Sequence, residues 1–139
     1  MSAFAQHTIT IQFRNKVGND LLQLGATYKN SFGEDMLINK CKYYISKIVL
    51  IDSDDKYYVF PNDYYLIDEA DSATKKFTIT TIAKRINAIQ FLIGVDSIKN
   101  VSGVQTGALD PINGMFWTWN SGYVFAKLEG VSSAAKVPG

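Results

Sequence analysis

The sequence predicts an all-β fold, an antiparallel Greek-key β-sandwich that is immunoglobulin-like in general architecture. Three observations predict it. Apolar residues recur with period two in one segment after another, turn residues punctuate the chain about every eight to twelve positions, and no segment longer than a turn shows a period of 3.6. A chain of 139 residues is most simply one domain, long enough to bury about two-thirds of its unfolded surface without staples. Residues 7–130 read as the sandwich. Residues 131–139 are small and polar enough to be a linker, or else the truncated end of a larger domain.

Composition excludes several classes. The chain is 47% hydrophobic and 19% charged, with eight Tyr, eight Phe and two Trp, which is not the composition of a disordered segment. Fourteen Lys plus Arg against thirteen Asp plus Glu leave a formal charge of +1, so no polybasic surface is available for nucleic acid or anionic lipid. The single cysteine, Cys41, excludes an internal disulfide and a Cys-rich zinc site. No apolar run approaches the ~18 residues of a membrane span. Residues 1–6 have two readings: Ser2-Ala-Phe-Ala5 is like the small-residue end of a signal peptide, with cleavage before Gln6, and it is equally like an ordinary N-terminus.

Taken in order, Thr8 to Phe13 alternates, with His7, Ile9, Ile11 and Phe13 on one face, which predicts a half-buried strand and a partly buried His7. Met36 to Ile51 is rich in Ile, Val and Tyr without Gly or Pro, so a long or bent strand is expected, ending at Asp52-Ser-Asp-Asp55. Lys56 to Phe60 and Tyr64 to Ile67 read as short strands joined by a turn at Pro61-Asn-Asp63. In the acidic stretch that follows, Ser72 suits either the cap of one helical turn or a surface loop. Phe77 to Ile82 alternates again. Ile86 to Val95 is the most apolar strand, predicted to be central and covered on both sides. From Asp96 to Gly114 there is no period, and so long a loop is often functional. Tyr123 to Leu128 closes the pattern.

The stretch Gly107 to Tyr123 holds both tryptophans, with turn dipeptides at Asp110-Pro111 and Asn113-Gly114. An extended run after that turn places Met115, Trp117 and Trp119 on one face, either as core or as a soft-metal or aromatic binding surface. No catalytic constellation assembles, because the sole histidine, His7, has no companion and neither G-x-G-x-x-G nor a P-loop occurs. A non-enzymatic role is expected. Asp52-Ser-Asp-Asp55 lacks the spacing and distal Glu of a calcium loop and reads as an acidic turn, as do Asp68, Glu69 and Asp71. Cys41 in an apolar strand reads as a small buried hydrophobe.

Gly114-Met-Phe-Trp-Thr-Trp-Asn-Ser-Gly-Tyr123, followed by Phe125-Ala-Lys-Leu-Glu-Gly130, resembles the M-x-W-x-W-x-x-G-Y signature of MbnP-like proteins. The resemblance extends upstream through Lys42-Tyr-Tyr-Ile-Ser46, Tyr65-Leu-Ile-Asp-Glu-Ala-Asp71 and Phe91-Leu-Ile-Gly-Val-Asp96 to Asn100-Val-Ser-Gly103. It implies an exported, periplasmic or extracellular β-sandwich. For methanotroph members it also implies a copper site using histidine, and a tryptophan oxidised to kynurenine by a partner dihaem enzyme. Trp117 and Trp119 match the motif; family histidines have no counterpart here. Copper, if bound, is expected at His7, with Met115, Trp117 and Trp119 as the remaining candidates. The competing expectation is a structural or cell-surface interaction module that shares the fold without binding metal.

Overall fold

The computed structural model describes residues 5–118 and 121–136. Its strands are, in chain order, β1 (His7–Gln12), β2 (Lys16–Val17), β3 (Asp20–Leu21), β4 (Thr27–Lys29), β5 (Asp35–Asp52), β6 (Tyr57–Asp68), β7 (Lys76–Thr81), β8 (Ile86–Ile93), β9 (Phe116–Thr118), β10 (Gly122–Tyr123) and β11 (Ala126–Ser132). A single turn of helix, α1 (Ser97–Val101), and three short 3-10 turns complete the described elements.

The long strand β5 is the spine of a five-stranded sheet. Lys42 and Tyr43 pair with β11 and β6 at once, and Ile45, Ser46, Val49, Leu50 and Ile51 pair with β6 and β8 at once. A strand has only two edges, so β11 and β8 follow one another along one edge of β5 while β6 occupies the other. All of these pairings are antiparallel.

One extra residue in β5 decides which side chains face the core. Lys47 adopts φ 51°, and the register shifts between Ser46 and Ile48. Without that bulge a period of two would send Ile45 and Ile48 to opposite faces. With it, Ile45, Ile48 and Leu50 all enter one cluster together with Ile67 and Ile79. The β1–β7 pair lies over that cluster through Ile9, Ile11, Phe13 and Phe77, forming the second layer of an antiparallel β-sandwich. Phe77 stacks on Tyr65 with centroids 3.7 Å apart, and Phe13 meets Phe91 edge-on at 5.8 Å. The opposite face of the sheet carries Tyr44 and a second cluster of Val95, Leu109, Met115 and Tyr123, supplied by the segment that follows β8.

Several expectations are corrected. Pro61 does not end a strand: β6 runs through it, because residues 61–63 lie opposite the single bulged Lys47, outside the regular ladder. The strand β8 is not central, because it pairs with β5 alone among the described residues and is exposed along its whole length. His7 is exposed, since it sits at the free end of β1 opposite the last residue of β7, Thr81. Cys41 is half-buried. The helical turn near Ser72 exists as Ser72–Lys75, but its cap is Asp71, whose carboxylate accepts from the Ala73 amide at 3.1 Å. The last strand continues past Gly130, with Val131 and Ser132 pairing Leu37 and Met36.

The acidic stretches serve the fold. Asp52 accepts from the amides of Asp54 (2.8 Å) and Lys56 (3.0 Å) and from the Tyr58 hydroxyl (3.0 Å), which closes the β5–β6 turn. The Glu69 side chain, only 7% exposed, accepts from Lys75 and from Asn15, each at 2.8 Å. Tyr43 donates to the same asparagine at 2.7 Å. That chain of bonds fastens the loop after β1 to the turn after β6.

Candidate functional site

The site is built where the chain folds back before Trp117. Asp110 caps the 3-10 turn Pro111–Asn113 by accepting from the Ile112 amide at 3.0 Å. Gly114 then takes φ 73°, a left-handed conformation that a side chain resists. Its turn redirects the backbone, so Met115 stands before the strand and not within its pleat. Met115 is fully buried against Tyr44, Val95, Leu109 and Tyr123, and its carbonyl accepts from the Val124 amide at 2.7 Å.

The next residues divide. Phe116 packs edge-on against Tyr123 with centroids 5.0 Å apart, whereas Trp117 is 71% exposed. Met115 and Trp117 therefore do not share a face, contrary to the alternation expected of an extended run beginning at Met115. Trp119 lies outside the described residues.

The loop beneath is held by polar contacts that are distant in sequence. Tyr44 donates to the Ala108 carbonyl at 3.0 Å, and Tyr123 donates to the Leu109 carbonyl at 2.7 Å while accepting from the Gln105 amide at 3.2 Å. Lys42 donates to the Asn113 carbonyl at 3.1 Å and Lys127 to the Gly114 carbonyl at 2.7 Å, so two cations close the C-terminal end of the 3-10 turn. The Asn100 side chain accepts from the Tyr123 amide at 2.7 Å. The aperiodic stretch 96–114 is thus a packed cover over the sheet. Its anchors escape a reading by period, since they lie on other strands.

A second polar group supports this cover from β6. Tyr64 donates to Asp96, and Lys47 approaches the same carboxylate at 3.6 Å. Burial, and then the bond to Asp96, push the Tyr64 phenol up to about 12. That bond, with Lys47 beside it, holds Asp96 below the ordinary carboxylate range. The depressed Asp96 contributes stability that is present above its unfolded value of about 3.9 and is lost as pH falls through its folded value. The raised Tyr64 contributes stability that is present below its unfolded value of about 10. That contribution is lost as pH rises through about 12. Tyr64→Phe should therefore flatten both the acid and the alkaline decline of stability, read as urea midpoints across pH; unchanged slopes would remove this pair from the balance.

The candidate metal residues are not brought together. His7 is exposed on β1, Met115 is sealed in the cluster on the other face of the sheet, and Trp117 points to solvent. Among the described residues no three His, Cys, Asp or Glu side chains stand close enough together to hold a metal ion. The donors described here do not compose a copper site by themselves, because Cu(II) favours imidazole and the one imidazole has no second donor assembled beside it. No described helix is long and apolar enough to cross a membrane.

Comparison with known proteins gives two matches. The family model MbnP matches residues 6–137. The solved structure of MbnP from Methylosinus trichosporium superposes with a TM-score of 0.72 at 16% identity, covering 94% of this chain and 57% of that one. At that identity the likeness establishes the fold. The chain spans a little over half the length of that solved protein. No curated protein matches.

Proposed function

Because the chain belongs to the MbnP family, we propose that it is a non-enzymatic, exported β-sandwich that handles copper, with Trp117 as the residue it presents to a partner. The observation that carries the reading is the exposure of Trp117 on a backbone pinned on both sides. A 71% exposed indole forgoes the burial that a Trp side chain gains in a core. Yet its neighbours Met115 and Phe116 are packed and its loop is clamped by Lys42 and Lys127. Such a residue is held out at a fixed place, within reach of a redox partner of the dihaem kind that the family resemblance implies. His7 is the imidazole this chain can offer to copper. Any further donors would come from outside the clusters described above.

Calorimetry with Cu(I) and Cu(II) tests the copper reading. Parent protein should bind and His7→Ala should lose the signal; binding that survives the substitution would remove His7, and no binding by the parent would end the copper reading for this chain.

A second reading, a structural or cell-surface interaction module, is favoured by a different observation. Between β5 and β11 runs an apolar groove of about 760 Å³, lined by Met36, Ile38, Leu128 and Val131 among others, and Leu128 and Val131 are 69% and 62% exposed. An exposed apolar groove rimmed by polar residues is the kind of surface that a binding partner covers. Failure of copper binding would leave this reading standing.

A further inference from the structure

We propose that β8 is the contact through which two copies of this chain pair, edge to edge, about a two-fold axis perpendicular to the five-stranded sheet. The proposal does not depend on copper. The strand β8 hydrogen-bonds to β5 along one edge, and among the described residues nothing pairs with its other edge. An unpaired edge is a template for another strand, and proteins ordinarily blunt it with charge, proline or a bulge. The other strands on the rim of this sheet carry such devices: β4 has Lys29, β6 has Pro61 and Asp63, and β11 has Lys127 and Glu129. In contrast, β8 reads Ile-Asn-Ala-Ile-Gln-Phe-Leu-Ile, with no charge and no proline. Its pairing with β5 shifts register twice: between Ile51 and Asp52 the extra residue is Asn87 of β8, near the start of the strand, whereas between Ser46 and Val49 the extra residue belongs to β5, so residues 88–93 of β8 carry no inserted residue of their own.

The strand is apolar on both faces and poorly covered on each. Ile89 lies opposite Leu50 and Ile93 opposite Ile45, so these two and Phe91 face the side covered by β1 and β7, yet they remain 38%, 56% and 40% exposed. On the other face Leu92 is 39% exposed. Each face carries a single polar residue, Asn87 on one and Gln90 on the other, where a face turned to water would be mostly polar.

The occupant is a second copy because the strand is complementary to itself. Antiparallel partners share a face, so a two-fold that keeps the inner faces continuous must pass through a residue. Centred on Gln90, it pairs Ile89 with Phe91 of the other copy and Ala88 with Leu92. The first is a β-branched–aromatic cross-strand pair of the stabilising kind, and the two Gln90 amides meet on the axis. No like charges oppose one another anywhere in this register. The pairing consumes the open edge of both copies, so the assembly closes at two instead of polymerising.

Sedimentation equilibrium of the 139-residue chain should show a reversible monomer–dimer equilibrium. Gln90→Lys and Gln90→Glu, both on the exposed strand, place like charges on the axis and should each weaken the dimer roughly ten-fold or more, with unchanged circular dichroism. An equimolar mixture of the two should restore dimerisation, because only the mixed pair then opposes unlike charges. A chain that stays monomeric at every concentration would overturn the proposal, and so would a dimer indifferent to both substitutions, open-ended association, or failure of the mixture to recover. Slow exchange, in a monomer, of those amides of residues 88–93 that point away from β5 would also overturn it, by showing that the edge is covered from within.

Discussion

Met115→Ala should lower the unfolding free energy by about 2–5 kcal/mol, the range for truncating a fully buried methionine, whereas Trp117→Ala should stay within about 1 kcal/mol, as surface changes do. The two residues are neighbours in one motif, yet Met115 is fully buried among Tyr44, Val95, Leu109 and Tyr123 while Trp117 is 71% exposed. Removing the thioether side chain opens a cavity that the surrounding rings cannot close, because Tyr44 and Tyr123 are tied by hydroxyl bonds to the Ala108 and Leu109 carbonyls. Truncating Trp117 leaves only surface behind. Urea denaturation of the two single variants measures the contrast. Acrylamide quenching in a Trp119→Phe background should find the remaining indole accessible. Equal losses at the two positions, or a shielded Trp117, would show that the indole belongs to the core and would withdraw it from the proposed function.

That contrast marks how far the sequence is informative. Alternation from His7 to Phe13, the β-branched run of β5 and the alternation of β7 are consequences of local pattern, and each reappears as a strand with its apolar set turned inward. The family resemblance, carried by the tryptophan motif, is likewise borne out over residues 6–137. Pattern fails where the partner decides. Pro61 reads as a turn because a proline usually interrupts a ladder, but the bulge at Lys47 on the facing strand gives the three residues 61–63 a place outside it. Hydrophobicity in β8 shows what the strand would gain from being covered. It does not show whether the fold supplies the cover.

The same limit applies within the site. Its position was legible, since the turn dipeptides and the Trp motif mark it, but the facing of its side chains was not. Gly114 re-aims the chain by one residue through a left-handed φ of 73°, which separates Met115 from the pleat that starts at Phe116. The clamps are equally silent in the sequence, because Lys42 reaches Asn113 across 71 positions and Asn100 reaches Tyr123 across 23. Such contacts follow from topology and have no local signature. His7 shows the converse, an alternating position whose burial is lost because it stands at the end of its strand.

Gly122→Ala, the addition of one methyl group, should cost about 2–5 kcal/mol, from roughly 1–2 for a left-handed backbone and roughly 1–3 for overpacking. Gly122 has φ 74°, and a Cβ there would run into the Asn100 side-chain amide and come within 2.7 Å of the Asn100 carbonyl oxygen. The backbone oxygen cannot swing away as a flexible side chain would, since Asn100 lies in α1 and its amide donates to the Asp96 carbonyl at 2.9 Å. Displacing the Asn100 side chain would also release the Tyr123 amide, which donates to it at 2.7 Å. Asp96 in turn meets Tyr64 and Lys47, so relief of the collision must pass through the contacts that hold the cover on the sheet. The expected result is a loss of stability accompanied by faster amide exchange in residues 96–114, with exchange in β5 and β6 unchanged. Asn100→Gly in the same chain should recover part of the loss by vacating the side-chain half of the collision. A Gly122→Ala protein as stable as the parent would mean that the hairpin does not hold this close approach, and with it the placement of Trp117 would lose its anchor.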